Sequence, residues 1–104
     1  MLTDNTLNHV NADDNLRKVN ILFLGGAKRV SMGRKFIEAG RRMGMDVRLY
    51  SYELSPYVPV ACIAEVIIGL KWADPEVTAH IHGIIEQKEI DILVPLSLIH
   101  ISEP

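Results

Sequence analysis

Thirteen consecutive residues decide the fold: Val19-Asn20-Ile21-Leu22-Phe23-Leu24-Gly25-Gly26-Ala27-Lys28-Arg29-Val30-Ser31. The first part is almost entirely apolar, which is typical of a strand buried on both faces of a parallel sheet. The glycine pair permits a sharp turn, because glycine has no Cβ to clash with the backbone. A helical apolar period begins at Met32, so Ser31 is predicted to cap the N-terminus of a helix.

Strands and helices alternate along the rest of the chain. The first helix carries apolar residues at helical spacing and is predicted to end at Gly44. A second helix is predicted to begin at Asp74-Pro75, where an acidic cap precedes a proline at the first helical position. Its apolar stripe consists of Val77, Ile81, Ile84 and Ile85. Strands are predicted over residues 19–24, 46–51, 65–69 and 90–95, with one helical turn over 61–64.

This alternation predicts an α/β fold with right-handed crossovers and a parallel sheet. We expect a Rossmann-like open sheet with flanking helices, strand order 3-2-1-4, and a truncated C-terminus. In such a sheet the ligand crevice lies at the carboxyl ends of the strands, between the first strand and the fourth.

Composition limits the chain to one small domain. It has 104 residues, of which 48% are hydrophobic, and a formal net charge of −2. Residues 1–18 are polar and aperiodic, which indicates a disordered leader before a domain over residues 19–95. No apolar run has the length of a membrane span, so no membrane partner is expected. A single cysteine, Cys62, excludes an internal disulfide and indicates a cytoplasmic protein; its apolar neighbours predict that it is buried.

Basic residues are concentrated around the first predicted helix. Without aromatic residues between them or a nucleic-acid motif, they indicate a solvated helix face and no nucleic-acid partner. Two of them, Lys28 and Arg29, lie beside the glycine turn and have a positional reason to contact a ligand. The seven basic residues of this region are Lys28, Arg29, Arg34, Lys35, Arg41, Arg42 and Arg48.

The candidate substrate-binding residues surround this turn: Gly25, Gly26, Arg29, Ser31 and Glu53. A helix N-terminus presents free N–H groups to an anion, so the turn is either an anion cradle or a purely structural feature. Ser31 is a cap that can also contact ligand. Glu53 follows the second strand, where Rossmann domains bind a ribose or another hydroxyl, and otherwise is an exposed loop glutamate.

No catalytic or metal-ligating set is visible in the sequence. His80 and His82 are two residues apart, whereas a metal-binding pair on a helix is usually spaced by about four. The chain contains no Walker lysine motif, and Gly25-Gly26 lacks the spacing of the G-x-G-x-x-G dinucleotide fingerprint. We therefore expect no catalytic residue, no metal and no cofactor in this segment.

The last nine residues, Leu96-Ser97-Leu98-Ile99-His100-Ile101-Ser102-Glu103-Pro104, resemble the translation of a transposase adapter used in sequencing libraries. We expect residues 96–104 to be a non-native tail and the native information to stop at Pro95. The alternative is a natural continuation of the fourth strand.

A family resemblance extends over about three-quarters of the chain. The order and spacing of its features resemble the N-terminal, Rossmann-like domain that precedes the ATP-grasp fold in carboxylate–amine ligases, in particular carbamoyl-phosphate-synthase large-chain-like members. One departure is Glu65, where many relatives have aspartate. The matching features are the strand and turn at 21–26, Ser31, Glu53, the segment 59–65, Asp74-Pro75 and the segment 88–95.

The resemblance implies an origin in a ligase that forms an acyl-phosphate from ATP and a carboxylate, which an amine or thiol then attacks. ATP and Mg²⁺ would bind to a following ATP-grasp domain in cis, so this fragment would not catalyse alone. It would help to frame the site of a small anionic substrate, a carboxylate or phosphate, and the ligase could be a homo-oligomer.

Two other classes of protein remain as alternatives. The first is an NAD(P)-binding half of an oxidoreductase or epimerase, which Glu53 favours and the absent fingerprint disfavours. The second is a receiver-like binding module, which would need acidic residues at the end of the first strand, where Gly25-Gly26 stands instead.

Overall fold

The computed structural model describes residues 16–96, which form a four-stranded sheet with a helix packed on each face. In chain order the elements are strand β1 Arg17–Leu24, helix α1 Val30–Arg42, strand β2 Met45–Glu53, a 3₁₀ helix Pro59–Cys62, strand β3 Glu65–Ile68, helix α2 Val77–Gln87 and strand β4 Ile92–Pro95. The described strands pair in parallel in the order β3-β2-β1-β4, which confirms the predicted α/β class and strand order. Residues 1–15 and 97–104, which contain most of the predicted leader and tail, lie outside the described residues.

The core lies on both faces of β1. Leu22 and Leu24 pack with the buried residues of α2, whereas Ile21 and Phe23 pack on the opposite face against α1. Because alternate residues of a strand point to opposite faces, a strand covered on both sides must be apolar throughout. The full burial of Leu22 and Phe23, both 0% exposed, explains the continuous apolar run.

The N-cap of helix α1 lies two residues before the predicted cap. Its N-cap is Arg29, which makes no side-chain capping bond, and Ser31 is the second helical residue. The prediction that Ser31 is the N-cap is therefore wrong. The backbone provides the reason: the Arg29 N–H donates to the Gly26 carbonyl at 2.9 Å, and the Gly33 N–H donates to the Arg29 carbonyl at 2.9 Å. The helical hydrogen bonds thus begin from Arg29.

The end of α1 agrees with the prediction. Gly44 has φ +74, the left-handed conformation that glycine adopts most readily, and its N–H donates to the Arg41 carbonyl at 3.1 Å. On the buried face, a Cβ at Gly40 would overlap the Val47 side chain. The helix therefore approaches β2 more closely than a larger residue at Gly40 would allow.

Other boundaries differ from the predictions by a few residues. Strand β1 begins two residues early, β2 continues to Glu53, and β4 begins at Ile92. Helix α2 begins at Val77 with Glu76 as its N-cap, so the predicted start at Asp74-Pro75 is wrong. Asp74 instead stabilises the preceding turn, where its Oδ1 accepts the Glu76 N–H at 2.8 Å. Neither helix in the described range is long and apolar enough to span a membrane.

The predicted burial of Cys62 is wrong. Cys62 is exposed and is the last residue of the 3₁₀ helix, whose buried residue is Val60. A single short turn can point only part of its residues inward, and Val60, 0% exposed, occupies that position. The apolar neighbours of Cys62 in the sequence therefore did not predict its exposure.

Asn20 interrupts the apolar run of β1 for a structural reason. Its side-chain Nδ2 donates to the carbonyls of Lys88 and Glu89, each at 3.1 Å. Its backbone N–H donates to Asp91 Oδ2 at 2.8 Å, and the Asp91 N–H donates to its carbonyl at 2.8 Å. Asn20 therefore fixes the loop between α2 and β4, where a regular strand pairing has not yet begun.

The same loop contains a left-handed residue that is not glycine. Glu89 has φ +52 and follows the C-cap of α2. Its N–H donates to the Glu86 carbonyl at 3.3 Å, and the Ile90 N–H donates to the Ile85 carbonyl at 2.9 Å. This pair of hydrogen bonds is the Schellman arrangement, which favours glycine at the position of Glu89.

Replacing Glu89 with glycine should stabilise the protein. Glu89→Gly removes a left-handed penalty of about 1–2 kcal/mol and adds unfolded-state entropy, for a net gain of about 0.5–1 kcal/mol. Urea denaturation followed by circular dichroism measures the change. The matched control is Glu86→Gly, at an exposed helical position of α2, which should lose about 1 kcal/mol. A loss of stability in both variants would contradict the conformational assignment of Glu89.

Candidate functional site

A cleft of about 340 Å³ opens at the carboxyl ends of β1 and β2. We call it the carboxyl-edge cleft. Open parallel sheets bind ligands at their carboxyl edge, but the predicted crevice lies between β1 and β4, whereas this cleft lies on the β2 side of β1. Its described lining residues are Gly25, Ala27, Tyr52, Glu53, Leu54, Ser55, Val58, Leu70 and Trp72.

Three backbone hydrogen bonds hold the glycine turn at the rim of this cleft. The Gly25 N–H donates to the Tyr52 carbonyl at 3.2 Å, and the Val60 N–H donates to the Ala27 carbonyl at 2.9 Å. The third bond is the one that joins the Arg29 N–H to Gly26. Gly25 has φ +80, a conformation that favours glycine. The turn is therefore fixed to β2 on one side and to the 3₁₀ helix on the other.

Gly26 has a packing role beneath the turn. It is buried, and a Cβ at this position would lie 2.6 Å from Phe23 Cδ2. The absence of a side chain thus lets the turn close over the Phe23 ring. This observation supports the structural interpretation of Gly26, whereas Gly25, at the cleft surface, is the member of the pair that a ligand would meet.

Tyr52 joins the separate walls of the cleft. The Leu70 N–H donates to the Tyr52 hydroxyl at 2.8 Å, and the same hydroxyl lies 2.6 Å from His80 Nδ1. Because the hydroxyl accepts the amide proton, its own proton can be donated to the imidazole nitrogen. The ring packs against Trp72 at a centroid distance of 5.6 Å and is 2% exposed. The loop after β3 and helix α2 are both anchored to β2 in this way.

Glu53 is the last residue of β2 and is one of the residues that line the cleft. Ser51, 0% exposed, donates its hydroxyl to Glu53 Oε2 at 2.6 Å. The Gly69 N–H donates to the Glu53 carbonyl at 2.8 Å, which fixes the backbone as well. One carboxylate oxygen is thereby held by a buried donor.

The structure brings together two of the five predicted site residues, Gly25 and Glu53. Gly26 lies beneath the turn, and Arg29 is exposed at the N-cap of α1. Ser31 is exposed and borders a different surface groove, which it shares with Val30, Arg34, Lys35 and Glu38. Of the predicted set, then, neither Arg29 nor Ser31 lines the carboxyl-edge cleft.

Sequence reasoning missed the aromatic members of the cleft. Tyr52 lies in a predicted strand end, and Trp72 has an adequate explanation as loop packing, so neither pattern indicates a site. The strand order supplies a partial signal, because it places the end of β2 between the glycine turn and the loop after β3. Within residues 16–96, no group of three or more His, Cys, Asp or Glu side chains could hold a metal ion.

Comparison with protein-family models gives no match, and comparison with curated proteins gives none either. The fold and the geometry of the cleft are the observations from which a function can be proposed.

Removing the Tyr52 hydroxyl should destabilise the protein. Tyr52→Phe keeps the ring but leaves the Leu70 N–H and His80 Nδ1 without their partner, at a cost of about 1–3 kcal/mol. Chemical denaturation measures the loss. Tyr57→Phe, at a residue 91% exposed, is the matched control and should be neutral. Equal stability of the two variants would show that the Tyr52 hydroxyl does not anchor the cleft.

Proposed function

We propose that this domain is the N-terminal, substrate-site-framing part of an ATP-dependent ligase of the carboxylate–amine type, which forms an acyl-phosphate. The observation that carries the proposal is that Gly25 and Glu53 line one cleft at the carboxyl edge of a 3-2-1-4 parallel sheet. Open α/β sheets bind ligands at this edge. The order of sequence features that resembles the ATP-grasp ligases agrees with this placement.

An anionic group of the substrate, a carboxylate or phosphate, would bind beside the turn at the start of α1. The first amides of a helix have no intrahelical acceptors and lie at the positive end of its dipole. Lys28 and Arg29 are exposed immediately before this helix, and Ser31 is exposed in its first turn. Arg29 and Ser31 are therefore proposed as contacts of the anion, outside the cleft that Glu53 borders.

ATP and Mg²⁺ would bind to an ATP-grasp domain that follows in cis. In the ligases that the chain resembles, the nucleotide-binding lysines and the magnesium carboxylates lie in that following domain. The domain would position a substrate and contribute no catalytic residue. The proposed protein is a cytoplasmic enzyme that acts on small molecules and not on nucleic acid or membranes, and it could assemble as a homo-oligomer.

One observation favours a second candidate, the NAD(P)-binding half of an oxidoreductase or epimerase. Glu53 ends β2 beside the turn after β1, the position from which an acidic residue binds a ribose hydroxyl in dinucleotide-binding domains. Another role of the fingerprint glycines is to let the helix pack closely on the sheet. Gly33 has this role here, because a Cβ added to it would lie 2.9 Å from Leu49 Cδ1 of β2. The glycine spacing itself does not match the fingerprint.

Reading the genomic locus beyond the codon for Pro95 separates the two candidates. The ligase proposal expects a coding region with ATP-grasp features in the same reading frame. A further βαβ run with a Tyr-x-x-x-Lys pair would contradict it and favour the second candidate.

In the complete ligase, Arg29→Ala should raise the Michaelis constant for the acidic substrate but not for ATP. Stability should change by less than about 0.5 kcal/mol, because Arg29 is exposed and makes no capping bond. Steady-state kinetics with each substrate varied in turn measures the effect. Arg41→Ala, in the last turn of the same helix, is the control and should leave both constants unchanged. Parental constants in Arg29→Ala would remove Arg29 from the site.

A further inference from the structure

Strand β4 lies at one end of the sheet and has a free edge. It pairs with β1 on one side, and no strand among residues 16–96 pairs with its other side. Such an edge offers backbone N–H and C=O groups to another strand, and many proteins protect it with charged side chains. The residues of β4, Ile92–Pro95, carry no charge. The edge therefore lacks an electrostatic barrier to pairing.

The side chains of β4 are incompletely covered on both faces of the sheet. Ile92 and Leu93 point to opposite faces and are 44% and 41% exposed, although both are large and apolar. Neither belongs to the clusters that the two helices cover. On the α2 face, Leu93 lines an apolar groove of about 340 Å³, so the uncovered surface continues from the strand to the helix. The other described residues of this groove are Leu24, Trp72, Val77, Thr78, Ile81, His82 and Ile85.

The direction of the backbone groups restricts how another strand can pair with this edge. The Leu96 N–H donates to the Leu24 carbonyl of β1 at 3.1 Å. Because the direction alternates along a strand, the backbone groups of Leu93 and Pro95 point away from β1. Proline has no N–H, so Leu93 supplies the outward N–H of Ile92–Pro95. A partner strand must therefore be centred on Leu93.

A second copy of the same chain meets this requirement. In an antiparallel pair across a two-fold axis at Leu93, the Leu93 N–H of each copy can donate to the Leu93 carbonyl of the other. This register needs no donor from Pro95. A two-fold interface brings the same surface of both copies together, so a charge on β4 would meet a like charge, and β4 carries none. Ile92 and Leu93 supply the apolar surface that the same residues of the other copy need to be covered.

We propose that two copies of this chain pair through β4 and form one continuous sheet, with four strands from each copy. The Leu93 side chains of the two copies meet on the α2 face. On the α1 face, Ile92 of each copy packs on Val94 of the other. The interface is small, so the dimer should be weak, with a Kd on the order of 100 µM. The inference concerns assembly and does not depend on the proposed ligase function.

Sedimentation of the full chain between about 10 µM and about 1 mM tests the association. We expect the molecular mass to rise from that of a monomer toward that of a dimer, and no further. Hydrogen exchange followed by NMR locates the interface, because the Leu93 amide is hydrogen-bonded in the dimer and faces solvent in the monomer. Its exchange should slow as the protein concentration rises, in parallel with the dimer fraction.

Ile92→Lys and the matched control Ile68→Lys place the same charge on opposite edges of the sheet. Ile68 is the last residue of β3, at the other end of the sheet, and is 50% exposed, so both substitutions replace a half-exposed isoleucine. The lysine at position 92 cannot pack on Val94 of the second copy, and its charge protects the edge. The Kd should rise at least about tenfold in Ile92→Lys and stay at the parental value in Ile68→Lys. Circular dichroism should show the parental fold in both variants.

Several outcomes would overturn the proposal. A monomer at every concentration would exclude the dimer, and a protected Leu93 amide in that monomer would show that another part of the same chain covers the edge. Growth beyond a dimer would indicate a head-to-tail contact and not a two-fold one. A dimer that dissociates in Ile68→Lys but persists in Ile92→Lys would place the interface at β3.

Discussion

The arrangement of the loops at the carboxyl edge of this sheet depends on the hydrogen bonds of the Tyr52 hydroxyl. The hydroxyl accepts the Leu70 N–H and lies within hydrogen-bonding distance of His80 Nδ1. The backbone carbonyl of Tyr52 accepts the Gly25 N–H. The glycine turn, the loop after β3 and helix α2 thus meet at one buried residue, the turn through its carbonyl and the other two through its hydroxyl. Because Gly25, Leu70 and Trp72 all line the cleft, its shape follows from the position of Tyr52. Glu53 is the next residue and is oriented by the same strand.

The elements that could be predicted from the sequence are those whose pattern is local. The apolar run of β1 indicates a strand buried on both faces. The glycine at the end of α1 indicates a residue in the left-handed conformation. The start of α1 could not be predicted in this way. The carbonyls of Gly26 and Arg29 accept the first hydrogen bonds of the helix. Ser31 is a residue type that often caps helices, but here it lies inside the helix. The exposure of Cys62 could not be predicted, because a short 3₁₀ helix is too short to show a periodic pattern of buried and exposed residues.

Only part of the candidate site could be predicted from the sequence. Gly25 and Glu53 could be associated because the strand order places the ends of β1 and β2 side by side. Tyr52 and Trp72 could not be associated from the sequence. Their rings come into contact between a strand and a loop, and no sequence spacing predicts such a contact. The exclusion of Arg29 from the cleft lining likewise required coordinates.

Hydrogen exchange at the Leu70 amide tests most directly whether Tyr52 organises this edge. Leu70 lies in a loop outside any helix or strand, and the acceptor of its N–H is the Tyr52 hydroxyl. A loop amide without such an acceptor exchanges through small local openings, whereas one held by a buried side chain exchanges only with larger unfolding. The account predicts that the Leu70 amide in the parent protein is protected nearly as well as the amides of β1. Exchange at the rate of an unstructured peptide would contradict it.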